Sequence, residues 1–208
     1  MMEEHELTAR PGSARVDATV VAVRRLLAEL LRAGDAAAQI GDVADELNVI
    51  ADKLAAVAPP MADRMVDMWH GEGVTRHDPV TGPENAIAPP LRLVGLPDGS
   101  VRGEAILGLP YQGPPGCVHG GISALLLDHT LGVANAWAGT SGMTANLELR
   151  YHRPTPLFEQ LTVLGRQVRV DGRKIFTEGR IMLGDEVCVS ANGLFIDKQI
   201  PRPRQSTD

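Results

Sequence analysis

The spacing of apolar positions divides this 208-residue chain into stretches of different character. Val16, Val20, Val23, Leu27 and Leu30 recur at helical spacing and form one stripe. Gly34-Asp35 interrupts it. A second helical stretch follows from Ala36 to Ala58, with Val43, Leu47, Ile50, Leu54 and Val57 on one side and Asp42, Asp45, Glu46, Asp52 and Lys53 elsewhere. Pro59-Pro60 closes this stretch, because proline cannot continue a helix and restricts the residue before it. The expectation is an αα-hairpin whose stripes need burial on a sheet or on another subunit. Ahead of it, residues 1–14 are polar and broken by Pro11, Gly12 and Ser13, and no regular structure is expected there. Met61 to Ala88 shows no period and reads as a connector. LRLVGL and VRGEAIL then flank Pro97-Asp98-Gly99-Ser100, the pattern of two strands around a turn.

The longest apolar run lies between Gly113 and Gly139. Gly113, Pro114 and Pro115 open it as a loop. Ile122, Leu125, Leu126, Val133 and Trp137 keep helical spacing, while Leu127, Leu131 and Ala134 fill another side. A helix that is apolar nearly all round is a buried helix. Its polar ends leave it too short for a clean membrane span. After the turn at Gly139 to Gly142, residues 143–152 alternate. Met143, Ala145, Leu147, Leu149 and Tyr151 fall on one face, and Thr144, Asn146, Glu148, Arg150 and His152 on the other. Leu161 to Val170, Arg173 to Leu183 and Glu186 to Ile196 read as three more strands, joined by hairpin signals at Asp171-Gly172 and Gly184-Asp185. Short turns imply antiparallel neighbours, and helices segregated from strands imply an α+β fold.

Composition narrows the function. The formal net charge is −6, and no basic run points to nucleic acid or a membrane surface. Two distant cysteines, Cys117 and Cys188, make no disulfide framework and fit a reduced, cytoplasmic setting. MMEEHELTAR lacks the apolar core of a secretory signal. His70 and His77, with Glu72 and Asp78 nearby, fit no compact metal-ligand spacing, and no metal is expected.

Two features of the long helix carry chemistry. Asp128 is its single acid, and a carboxylate on a core helix is costly without partners. His119, Gly120 and Gly121 stand at its start. There the first N–H groups have no internal partner, the helix dipole adds positive charge, and glycine permits close approach. Such donors polarise a carbonyl and stabilise the oxyanion formed when it is attacked.

The run His119-Gly120-Gly121, six residues, then Asp128, followed by Thr144 and LELRYHRPTP, resembles the hotdog-fold acyl-CoA thioesterases of the PaaI and THEM type. The resemblance covers the second half to two thirds of the chain and leaves out about the first sixty residues. It implies one hotdog domain over 61–200, a long helix wrapped by a curved antiparallel sheet. An N-terminal helical extension over 1–60 and a flexible tail over 201–208 complete the expected organisation. It implies hydrolysis of an acyl-CoA thioester to a carboxylic acid and CoA, with coenzyme A entering as part of the substrate and no further cofactor. Asp128 is then nucleophile or general base, Gly121 N–H polarises the carbonyl, His119 orients the thioester, and Thr144 positions water. Gly120, Gln112, Asn146, Arg150 and Arg153 are the expected substrate contacts, the arginines through phosphates. The resemblance also implies a homodimer or tetramer whose site crosses the dimer interface.

One departure stands out. Relatives often carry Asn or Gln six residues before the histidine, where this chain has Gly113; Gln112 is the neighbouring substitute. Two other readings compete. A non-catalytic acyl-CoA sensor or carrier is one. The other, a hydratase, is disfavoured because adjacent Asp128 and His129 diverge on a helix.

Overall fold

Seven strands pair into a single antiparallel sheet in the computed structural model, which describes residues 4–9, 12–61, 63 and 76–197. The strands are β1 (His5–Glu6), β2 (Arg92–Gly95), β3 (Val101–Ile106), β4 (Met143–Tyr151), β5 (Gln160–Asp171), β6 (Lys174–Leu183) and β7 (Glu186–Ile196). Their order across the sheet is β1-β2-β3-β5-β6-β7-β4. The β5–β6 and β6–β7 hairpins turn through Gly172 and Gly184, whose φ angles of 57° and 56° favour glycine. Asp171 faces Lys174 and Leu183 faces Glu186, so both loops have the expected two-residue length.

The long helix, Gly120–Trp137, crosses one face of the sheet. Leu126, Leu127, Leu131 and Ala134 are fully buried against Leu161, Val163, Ile181 and Val189. Beneath it the sheet presents glycines. A Cβ added to Gly165 would lie 2.9 Å from Thr130 Cγ2 and 3.2 Å from the Thr130 carbonyl oxygen. One added to Gly179 would lie 3.0 Å from Leu131 Cδ2. Gly193 likewise sits under Leu131. The helix therefore rests on backbone in β5, β6 and β7, closer than side chains would allow. Its other face differs: Ile122, Leu125 and Val133 are only half-buried.

The N-terminal segment departs from expectation. His5–Glu6 pairs with β2, Leu7 N–H donates to the Leu93 carbonyl at 2.8 Å, and the His5 ring stands 5.3 Å from Trp137. A two-residue strand has no period to detect; the open edge of β2 recruits it. Helix α1 (Ala14–Ala33) is held on the body by buried Val20. Arg24 Nη2 also donates to the Asn85 carbonyl at 3.0 Å. A 3-10 turn (Gly34–Gln39) leads to α2 (Val43–Ala55), which buries none of its residues. Ile50, Leu54 and Val57 are exposed, so the sheet does not take up this stripe. The long helix is called α3 below. Met65, Met68, Trp69, His70 and Glu72 of the connector lie outside the described residues. Among those described, no helix is long and apolar enough to cross a membrane.

Candidate functional site

The start of α3 is shaped by a tight loop. Gly113 N–H donates to the Cys117 carbonyl and His119 N–H to the Tyr111 carbonyl, each at 2.9 Å. A Cβ on Gly113 would lie 2.7 Å from His119 Cα. This accounts for the departure seen in the sequence, because a side chain at 113 collides with the histidine backbone. Gln112 uses its Oε1 to brace the same loop, accepting from Gly116 N–H at 3.3 Å. The Tyr151 hydroxyl donates to the Gly120 carbonyl at 3.0 Å and fixes the first turn.

His119 is the N-cap of α3, and its Nδ1 accepts from Gly121 N–H at 3.0 Å. A neutral ring accepting at Nδ1 carries its proton on Nε2, which leaves a second donor beside the helix start. Ile122 and Ser123 N–H donate to the His119 carbonyl. Among the described residues, Gly120 N–H is left without an acceptor.

Asp128 lies two turns further on and is half-buried. Its Oδ1 accepts from the Thr144 hydroxyl at 2.8 Å. Strict alternation along β4 places Thr144 opposite Leu147 and Leu149. The structure corrects this. The β4–β7 register slips between Thr144 and Asn146, so Ala145 is an extra residue. Thr144 thereby turns toward α3, the side on which Leu147 and Leu149 pack.

Both groups line a groove of about 620 Å³ whose walls include Leu7, Val133, Trp137, Met143 and Phe195. The groove mixes apolar walls with polar groups and carries a second polar pair, Asp78 and His129. Asp78 Oδ1 accepts from Val80 and Thr81 N–H at 2.7 and 2.9 Å, folding the connector back onto α3. His129 Nε2 lies 3.2 Å from Thr81 Oγ1, and its Nδ1 is 3.6 Å from Asp78 Oδ1. His129 therefore turns away from Asp128, as adjacent helix positions require.

Burial holds the His129 pKa below its ordinary value, against the opposing pull of Asp78 and then Asp128. The unfolded chain takes up this proton near pH 6.5 and the folded chain only at lower pH. Stability from this residue is thus complete above about pH 6.5 and falls as pH drops below it. Thermal melts from about pH 8 to 5 should show a shallower decline for His129→Gln than for the parent. Parallel slopes would rule out this linkage.

The remaining sequence candidates are more dispersed. Asn146 is exposed on β4 and makes no side-chain hydrogen bond among the described residues. Arg150 is exposed and unpaired there, whereas Arg153 is tied to Glu186. His77 pairs with Glu84 at 3.1 Å. Three contributors were missed in the sequence. Tyr151 was assigned to the apolar face of its strand. Asp78 was weighed only as a metal ligand, although Asp followed by Val80 and Thr81 is a side-chain-to-backbone turn signal. Leu7 gave no signal at all.

Known proteins resemble this chain in the same two parts. The thioesterase superfamily profile matches residues 115–190. A second profile, the N-terminal helical domain of the hypothetical protein RHA1_ro05818, matches residues 7–63. Acyl-coenzyme A thioesterase THEM4 of Mus musculus is 38% identical over 98 residues, 46% of this chain and 42% of that protein. THEM4 of Xenopus laevis is 37% identical over 90 residues, 42% of this chain and 40% of that one. The chain thus spans about two fifths of the length of these curated relatives. A crystal structure of a thioesterase superfamily protein superposes with a TM-score of 0.87 at 60% identity, covering 95% of this chain and 98% of the other. An antiparallel sheet wrapped around α3, a helical extension before it, and near-complete alignment to that protein establish that the chain is a hotdog-fold member of the thioesterase superfamily.

Proposed function

We propose that this protein is an acyl-CoA thioesterase, converting acyl-CoA and water to a carboxylic acid and CoA. The observation that carries the reading is the Asp128–Thr144 hydrogen bond in a groove with apolar walls. The groove takes the acyl chain. Thr144 holds Asp128 Oδ1 and leaves Oδ2 to act. Asp128 attacks the thioester carbonyl and expels the CoA thiolate to form an anhydride that water then hydrolyses, or it removes a proton from the water that attacks the carbonyl directly. Gly121 N–H polarises the carbonyl once the substrate oxygen replaces His119 Nδ1, and the open Gly120 N–H lies beside it. Displaced from Gly121, His119 orients the thioester through its ring N–H. Gln112 and Asn146 are assigned to contact with the substrate, and Arg150 and Arg153 to the CoA phosphates. Cys117 and Cys188 are free, in keeping with a cytoplasmic setting.

The two halves of this chemistry do not meet within one copy. Asp128 is seven residues beyond Gly121, about 10 Å along the helix axis. A second copy supplies the missing half. Strand β4 is a nine-residue sheet edge, largely exposed along its length. Such an edge needs a cover. Pairing β4 with its own copy about a two-fold axis sets the α3 helices antiparallel, half-buried faces together. The glycines of one then approach the acid of the other.

Mixing inactive chains tests this. An Asp128→Ala chain and a Gly120→Val, Gly121→Val chain, co-expressed with different tags and isolated as the mixed oligomer, should regain about half the parental activity per site pair. The readout is thiol release from a panel of acyl-CoAs. An inactive mixed species from two folded partners rejects the shared site. Acyl-CoA binding without cleavage by the parent rejects the enzyme reading in favour of a carrier or sensor.

A further inference from the structure

Helices α1 and α2 carry two apolar surfaces that the chain does not bring together. On α2, Ile50 and Leu54 are 52% and 55% exposed and continue the stripe of Val43 and Leu47, and Val57, just beyond the helix, is 79% exposed. On α1, Ala18, Val21, Ala22, Arg25, Leu26 and Glu29 line an open groove of about 470 Å³. These positions are three and four residues apart and form one continuous face. Ala18 and Ala22 stand one turn apart, and small residues there let another helix approach closely.

The net charges of the two helices are opposite. Helix α1 carries Arg15, Arg24, Arg25 and Arg32 against Asp17 and Glu29. Helix α2 and its preceding residue carry Asp42, Asp45, Glu46 and Asp52 against Lys53 alone. Arg25 lies in the α1 groove, and Glu46 lies one turn from Val43 beside the α2 stripe. An acidic apolar helix is a poor match for an anionic membrane surface. It matches an apolar groove on a helix of net positive charge. Within one copy, no residue of α2 is fully buried.

We propose that α2 docks in the α1 groove of a second copy, and that two chains make this exchange reciprocally. One groove and one stripe per chain close such a pair about a two-fold axis with neither surface left over. The stripe of Val43, Leu47, Ile50, Leu54 and Val57 packs over Ala18, Val21, Ala22 and Leu26, and Glu46 approaches Arg25. This contact uses none of the residues assigned to hydrolysis and is independent of them.

Crosslinking between two marked chains tests the exchange in the full-length protein. Cys117→Ser in both chains removes the partly exposed native thiol. One chain then carries Ala22→Cys and the other, with a different tag, Ile50→Cys. After co-expression and treatment with a short bismaleimide, a covalent heterodimer is expected, and neither chain alone should give it. Arg25→Glu should lower the yield about fivefold, and adding Glu46→Arg in the partner should restore it. A chain bearing both cysteines that crosslinks only within itself would overturn the exchange, since α2 would then fold onto its own α1. So would absence of any crosslink combined with unchanged elution of an Ile50→Ser, Leu54→Ser variant.

Discussion

Replacing Asp128 with alanine is expected to lower acyl-CoA hydrolysis by about 10³-fold with little change in KM. In the proposed reading the loss falls on kcat, because the carboxylate acts on the carbonyl and the acyl chain is held by the apolar walls of the groove, Leu7, Val133, Trp137, Met143 and Phe195. The fold should survive. Asp128 is half-buried, and its side-chain partner among the described residues is the exposed Thr144 hydroxyl. Asp128→Asn keeps an oxygen for Thr144 and should be nearly as inactive, which separates lost acid–base chemistry from lost positioning. Thr144→Val should cost less, about tenfold, because the acid remains but is free to turn. Thiol release under saturating and limiting substrate gives kcat and KM separately. An Asp128→Ala protein with parental kcat would remove Asp128 from the chemistry altogether.

The second large effect is on stability. Gly179→Val should destabilise the fold by about 3 kcal/mol. The new Cβ would lie 2.7 Å from the Leu164 carbonyl oxygen, 3.0 Å from Leu131 Cδ2 and 3.2 Å from Leu127 Cδ2. Only the leucine tips can yield. The oxygen belongs to β5, which pairs with β6 along most of its length. Relief therefore requires lifting α3 or spreading two central strands. A clear drop in the urea midpoint at unchanged m-value is the expected signature. A midpoint equal to the parent's would show that α3 does not rest on the sheet backbone there.

Much of the fold was legible because its elements are long and strongly patterned. The stripe of α1, the apolar run of α3 and the hairpin glycines each carry a local signal, and each element formed where that signal lay, whereas the second stretch, expected from Ala36, became α2 only from Val43, after a 3-10 turn over Gly34–Gln39. What stayed hidden depends on contacts distant in sequence. His5–Glu6 is a strand because β2 offers an edge, and nothing within residues 4–9 announces it. Gly113 read as a missing amide side chain; the backbone of His119 is the reason for it. The glycines at 165, 179 and 193 look like weak points in strands until the helix above them is placed. At the site, the sequence singled out His119, Gly121 and Asp128 as chemical groups. That His119 itself occupies the Gly121 N–H is a matter of side-chain rotation, which no spacing encodes.

Ala145 has a consequence for how β4 is specified. Side chains on a strand obey a parity rule, and one inserted residue reverses the parity of everything before it. Met143 and Thr144 thus owe their orientation to the number of residues separating them from Leu147 rather than to their own chemistry. A substitution at Ala145 changes little in this count. A deletion there would turn the hydroxyl away from the acid while leaving every functional residue in the sequence. In this strand, the length of the chain is itself part of the catalytic inheritance.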